Sequence, residues 1–359
     1  HNRCRRQRQM CIRDRYKGTY KLVGQELSMF SRKLEAQLRY QNVPYDWEFK
    51  TLASGDEVNK RSGTRFIPLL RTPDGWVIND TISIGPFLND RFIDCQVIPT
   101  SPALRCACFI LEDFFNHWYP RHALHSRWCY SNNIDVIGER FGKNSILNKS
   151  IDTPISDEES EQIKDFGELM LNSFGAKACE IQGAGPEHSA SMRKDFTNLL
   201  DLLLSHLERH DFLLGNRACL ADFALVGPFK GHFLLDPEPI SWLGENLGAV
   251  ESYVDRVWQH GSDTQDYFPD DDLPETLDPL FDYVENMYQK FAEWSINAAL
   301  NDKKFFNLDL GYGPFEARSM KRLEKARLHV QDEILKTNYK NSPIGNKSIL
   351  NFYLKDSLA

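Results

Sequence analysis

The sequence predicts an α/β domain at its N-terminal end, then an all-α domain, then further helices. Three observations predict this. Between Tyr20 and Phe92 short apolar runs suited to strands alternate with two segments of helical spacing. From Ser101 onward the spacing is helical and stays so. Between them, Phe66-Ile67-Pro68-Leu69-Leu70 and Trp76-Val77-Ile78-Asn79-Asp80 flank Thr72-Pro73-Asp74-Gly75, a tight turn: proline presets φ, aspartate bonds the turn backbone and glycine tolerates positive φ.

Tyr20–Gly24 reads as a first strand ending on glycine. A helix opens around Ser28, with Phe30, Leu34 and Leu38 on one face and Arg32, Lys33, Glu35 and Arg39 on others. Asn42-Val43-Pro44 stops it, and Tyr45–Phe49 alternates as a strand does. The polar segment Ser54–Thr64 reads as irregular. Pro68 donates no ladder hydrogen bond, which places it at a strand's first residue or on an edge. Just before a hairpin it is a candidate for a cis peptide that turns the backbone outward, beside an acidic helix start at Asp80-Thr81. The order β-α-β, irregular segment, β-β-α is the thioredoxin-like layout.

At 359 residues the chain is too long for one ordinary core and predicts two domains or more. With 41% hydrophobic and 26% charged residues, it reads as an ordinary folded chain rather than a disordered one. It holds no run of about 18 apolar residues and no secretory leader pattern, so neither a membrane span nor secretion is expected. The eight cysteines are scattered, and the Cys106/Cys108 pair lacks a second pair at ligand spacing; reduced, mostly buried thiols in a cytoplasmic protein are expected, and no metal. His1–Arg15 carries six arginines and one acid, Asp14, a net +5 in a chain of net −8. Residues 1–15 resemble translated sequencing-adapter read-through and are read as a non-native basic leader. The rest, at −8 − 5 = −13, repels phosphate and argues against nucleic acid as a ligand.

From Tyr20 to Phe92 the chain resembles the N-terminal domain of cytosolic glutathione transferases. Ser28-Met29-Phe30-Ser31-Arg32-Lys33 stands where that family has its catalytic Ser or Cys, commonly followed by proline and an aromatic. Ile67-Pro68 matches its hydrophobic residue and cis-proline, and Asp80-Thr81 its acid–serine pair. Met29 in place of proline and Thr81 in place of serine are departures. The resemblance implies glutathione as co-substrate, with Ser28 activating the thiol and Ile67 pairing with the cysteinyl main chain next to Pro68. Asp80 would take the γ-glutamyl ammonium and Thr81 its carboxylate. It also implies a small electrophilic substrate and a homodimer. A serine at position 28, where redox members carry cysteine, argues against disulfide reductase activity.

These residue types suit the chemistry. A thiol with a pKa near ~8.5 is mostly protonated at neutral pH, and the thiolate is the nucleophile. Lowering that pKa by about two units requires roughly 2.7 kcal/mol of preference for the thiolate. One charge-assisted hydrogen bond of ~1.5–3 kcal/mol and a helix-dipole contribution of ~0.3–1 kcal/mol suffice together. Each residue also has a purely structural alternative. Ser28 could be only an N-cap, Asp80-Thr81 an ordinary helix start and Pro68 an edge proline. Ser31 is a fallback hydroxyl, one turn into the helix.

The segments divide at 16–95, 100–265 and 266–359. In the second, Leu111, Phe114, Phe115, Trp118, Tyr119, His122, His125 and Trp128 either form core or line an acceptor pocket; the histidines have no carboxylate at ligand spacing. Phe212–Leu225 resembles the family's buried helix start, with Asp222 completing a capping box and Cys219 at the cap. Gln182–Pro186 is a loop, and Asp263–Leu273 an acidic linker that could supply a capping aspartate. Beyond it, Leu273–Ala299 and Glu316–Thr337 read as helices that ordinary transferases lack. Two other readings stay open: a non-catalytic binding or assembly module on the same fold, and a glutathione-dependent isomerase or dehalogenase.

Overall fold

The computed structural model describes residues 18–259, 261 and 266–356. The leader, residues 1–15, lies outside the described residues, as does part of the acidic linker. Four strands build one sheet in the order β2-β1-β3-β4. β1 (Tyr20–Gly24) pairs parallel with β2 (Tyr45–Phe49), while β3 (Leu69–Arg71) runs antiparallel both to β1 and to β4 (Val77–Asn79). Tyr20 and Leu22 of β1 and Leu70 of β3 pack with Leu34 and Leu38 of α1 (Met29–Tyr40) and with Ile84 and Leu88 of α3 (Thr81–Arg91). The thioredoxin-like layout read from the sequence is therefore the observed one.

The polar stretch after β2 is not irregular: it forms α2 (Gly55–Ser62). None of its residues is buried, so no apolar period marks it. Its charges do, with Asp56 and Glu57 in the first turn, Lys60 and Arg61 in the last, and Gly63 closing it at φ 70°.

The second domain is helical, built around α4 (Pro102–His117), α5 (Tyr119–Trp128), α10 (Ser189–Leu207) and α11 (Leu220–Pro228). Between α5 and α10 lie α6 (Ile134–Ser145), α7 (Asp157–Ile163), α8 (Phe166–Met170) and α9 (Ala176–Ile181). Asp271 in the linker caps α4, its carboxylate accepting from the N–H groups of Ala103 at 2.8 Å and Leu104 at 3.1 Å. Every residue of α11 is buried, and the helix packs on α1 and α4. Glycine is required there, since a Cβ on Gly227 would stand 2.4 Å from the Met29 carbonyl oxygen. After α12 (Pro237–Leu243) and α13 (Leu247–Trp258), α14 (Asp278–Tyr283) runs through a π-turn, Val284–Gln289, into α15 (Lys290–Leu300).

The expected helix Glu316–Thr337 starts later. Its first residues belong to a hairpin, β5 (Phe305–Asp309) with β6 (Pro314–Arg318), and α16 spans Lys321–Leu335. The hairpin's turn depends on Gly311 and Gly313, at φ 93° and 97°, whose N–H groups donate to the Asp309 carboxylate. A short α17, Leu350–Leu354, follows. The extension is pinned on α4 and α10 by tyrosine hydroxyls: Tyr288 and Tyr353 donate to Asp113 at 2.8 and 2.9 Å, and Tyr283 to Asp195 at 2.7 Å. No described helix is long and apolar enough to cross a membrane.

Candidate functional site

Register brings the predicted residues to one end of the sheet. Val23 pairs with Leu69, and Leu69 with Asn79. The next residue along each chain is Gly24, Pro68 and Asp80, with Ser28 four residues beyond Gly24 and Thr81 opening α3. The Ile67–Pro68 peptide is cis, and Ile67 stands outside the ladder, which begins at Leu69.

Ser28 is the N-cap of α1, at φ −90° and ψ 120°, its hydroxyl oxygen accepting from the Ser31 N–H at 3.3 Å. Capping uses an oxygen lone pair and leaves the hydroxyl proton available to donate outward, so capping and sulfur binding do not compete. Ser31 is fully buried, its oxygen accepting from the Gln25 N–H at 3.4 Å. It packs against Gly24, where a Cβ would lie 2.5 Å from Ser31 Oγ. That excludes Ser31 as an exposed hydroxyl.

The loop before Ser28 is fastened residue by residue to the helical domain. The Gln25 side chain donates to Ser145 Oγ at 2.7 Å. The buried Glu26 carboxylate accepts from Asn144 Nδ2 at 3.0 Å, Ser150 Oγ at 3.0 Å and the Ile151 N–H at 2.8 Å. The Leu27 carbonyl accepts from Arg127 Nη1 at 2.8 Å, and Arg127 is itself paired with Asp236 at 2.7 Å, both buried.

Asp80 is exposed and takes φ 71° with ψ 115°, a sparsely populated region for a side-chain-bearing residue. Its carboxylate holds the Ile82 N–H at 3.1 Å. Thr81 is buried, and its Oγ1 accepts from Lys33 Nζ at 3.4 Å. Lys33 also donates to Glu112 at 2.6 Å and to Asn116 at 3.0 Å on α4, a buried ion pair spanning the two domains.

Residues 185–260 match the family model described as Glutathione S-transferase, C-terminal domain. That stretch lies wholly within the helical domain, which there is similar to the C-terminal domain of glutathione S-transferases. The thioredoxin-like sheet followed by the helical domain is the transferase fold, here with extra C-terminal elements. No curated protein matches the chain in sequence. Among solved structures, the chain is similar to the Beta-etherase LigF from Sphingobium sp. strain SYK-6, at 19% identity and TM-score 0.43 over 67% of this chain and 95% of that one. It is similar to the glutathione S-transferase CsGST83044 of Ceriporiopsis subvermispora in complex with glutathione, at 16% identity and TM-score 0.43 over 67% and 98%. A glutathione S-transferase from Rhodospirillum rubrum F11 is similar at 15% identity and TM-score 0.40 over 70% and 97%.

The aromatic residues of α4 and α5 are core. Phe114, Phe115, Trp118, Tyr119 and Trp128 are all buried; Trp118 Nε1 donates to the Tyr283 hydroxyl at 2.9 Å, and His122 Nε2 lies 2.8 Å from Asp195. Beside Ser28, Leu27 joins an apolar cluster with Trp128, Ile137, Phe141 and Phe166. A groove of about 430 Å³ lies elsewhere, between Leu38, Arg39, Tyr45 and Trp258, and none of the five predicted residues lines it. Asp222 is buried and accepts from the Cys219 N–H at 2.8 Å, the Leu213 N–H at 3.0 Å and the Tyr253 hydroxyl at 2.8 Å. Its role at the start of α11 is structural, and burial pushes its carboxyl up. Among the described residues no three His, Cys, Asp or Glu side chains are placed to hold a metal ion.

Lys33, Glu112, Glu26, Arg127 and Asp236 went unread in the sequence. Their main partners lie tens to more than a hundred residues away, and only Lys33, two residues after Ser31 in the Ser28–Lys33 motif, carries a local signal.

Proposed function

We propose that this protein binds glutathione at the sheet end formed by Ser28, Ile67, Pro68, Asp80 and Thr81, and ionises its thiol for attack on a small electrophile. Three features support the reading: a hydroxyl N-cap at the positive tip of α1, the cis Ile67–Pro68 peptide and the strained Asp80. Ser28 donates its free proton to the sulfur. Ile67, outside the ladder, offers its main chain to the cysteinyl residue. Asp80 receives the γ-glutamyl ammonium, and the Thr81 region, with the Lys33 ammonium behind it, receives the carboxylate. The protein acts in the cytoplasm as a detoxifying homodimer, with no nucleic acid, membrane or metal partner.

A second reading, a non-catalytic binding or assembly module on the same fold, is favoured by one observation. Leu27, next to Ser28, packs against Trp128 and Phe141 in an apolar cluster. Retention on immobilised glutathione, followed by a conjugation assay on wild type and Ser28→Ala, separates the two. The leading reading expects retention by both and turnover by wild type alone. Retention without turnover by wild type supports the module.

A further inference from the structure

The sequence leaves the cysteines as scattered thiols, but folding brings two of them together. Cys129 follows α5 and Cys179 lies in α9, and both are free thiols. They meet through the Gly183–Gly185 turn. Cys129 Sγ and His125 Nδ1 both contact the Ala184 carbonyl oxygen, at 3.6 and 2.9 Å, and the Ala184 N–H donates to the Cys179 carbonyl at 3.0 Å. Cys179 Sγ donates to the Leu124 carbonyl of α5 at 3.4 Å. Cys179 belongs to the apolar cluster of Leu27, Trp128 and Phe141, and Cys129 packs against that same cluster.

The members of the pair differ in access. Cys129 is half-buried, whereas Cys179 is 1% exposed. The neighbouring Cys179 thiol, joined by His125, pulls the Cys129 thiol down to about 6, while the same neighbour and burial push Cys179 up. Elsewhere, burial pushes Cys106 up to about 11 and Cys219 well above its usual range. A half-exposed, partly ionised sulfur beside a buried second thiol is the arrangement of an attacking and a resolving cysteine.

We propose that Cys129 and Cys179 form a dithiol site that reacts with low-molecular-weight disulfides, Cys129 attacking and Cys179 resolving. In the first step the Cys129 thiolate attacks one sulfur of the small disulfide. The new bond joins Cys129 to one half, and the other half leaves as a thiolate that takes up the proton Cys129 released. In the second step Cys179 attacks Cys129 Sγ, forming the Cys129–Cys179 bond and expelling the second small thiol, which carries away the Cys179 proton. Two protein thiols are oxidised and one disulfide is reduced to two thiols, so atoms and electrons balance. The site is independent of glutathione binding at Ser28. Because Arg127, two residues before Cys129, holds the Leu27 carbonyl, the crosslink forms next to the loop that carries Ser28.

The test uses the full chain with glutathione disulfide as the probe, acid quenching, alkylation after unfolding, and peptide mapping of each cysteine separately. In wild type the expected product is a Cys129–Cys179 crosslink, formed at least about tenfold faster than Cys95, Cys106, Cys108 or Cys219 is modified. In Cys179→Ser the expected product is a glutathionyl group held on Cys129, and in Cys129→Ser neither product forms. The proposal is overturned if wild-type Cys129 and Cys179 stay alkylatable, if wild type keeps the glutathionyl group on Cys129, or if Cys129→Ser is modified at Cys179. Should either variant fail to fold, the wild-type map alone decides.

Discussion

Lys33 Nζ and Glu112 Oε1 lie 2.6 Å apart, both 3% exposed, and through them α1 of the sheet domain is bolted to α4 of the helical domain. Thr81 hangs from the same ammonium. Thr81 is therefore held from behind by a pair that reaches into the helical domain, which couples domain packing to that residue's position. Removing one partner leaves the other charge buried and uncompensated. Lys33→Met should cost ~3–5 kcal/mol of stability, and the double variant Lys33→Met/Glu112→Leu much less. Denaturant midpoints of the three proteins check this; equal losses in single and double variants would contradict it.

Arg127 does the same for the loop. Arg127→Met removes the donor to the Leu27 carbonyl and strands Asp236, whose carboxyl burial already pushes up. We expect a stability loss of ~3–5 kcal/mol. Amide exchange across Gln25–Arg32 should also quicken beyond what the global loss explains. Unchanged relative protection of that loop would contradict the clamp.

Asp80 carries strain and a predicted binding role at once, and glycine separates them. Asp80→Gly relieves a backbone cost of ~1–3 kcal/mol while losing a cap on the Ile82 N–H of ~1 kcal/mol. Stability should hold or rise slightly. Glutathione affinity, measured by calorimetry, should fall at least about tenfold, one lost contact to a charged group being ~1.5–3 kcal/mol. Unchanged affinity would remove Asp80 from the γ-glutamyl contact.

His206 supplies a pH dependence remote from the site. Burial first, then the neighbouring His210, lowers its pKa to about 4. Its Nε2–H donates to the Leu213 carbonyl at 3.0 Å, which leaves Nδ1 to accept from the Thr276 hydroxyl at 2.8 Å. The folded pKa lies below the unfolded ~6.5, so the unfolded chain binds more protons between the two values. Stability is therefore lost as pH falls from ~6.5 towards 4, by about 3 kcal/mol in all. The difference between wild type and His206→Gln isolates this slope; parallel curves for the two proteins would contradict it.

Local patterns made the sheet domain legible. The Thr72–Gly75 turn, the Asn42–Pro44 stop and the alternation in Tyr45–Phe49 each act within a few residues, and the strands fall where they place them. The cis Ile67–Pro68 peptide was legible for the same reason. Helix α2 was missed because it buries nothing, and the β5–β6 hairpin because its apolar positions are too few to outweigh the charged helix beyond it. The site's supports were missed for a different reason. Lys33 meets Glu112 across 79 residues, Arg127 meets Asp236 across 109, and Cys129 meets Cys179 only once α5 and α9 pack. Contacts of that range leave no spacing to read.

The ionisation of bound glutathione, followed by thiolate absorbance against pH in wild type and Ser28→Ala, tests the central claim most directly. The account predicts a bound thiol about two pKa units below the free value of ~8.5 in wild type, returning most of the way to it in Ser28→Ala while binding persists. An identical thiol pKa in the two proteins would contradict it, as would wild type that binds no glutathione.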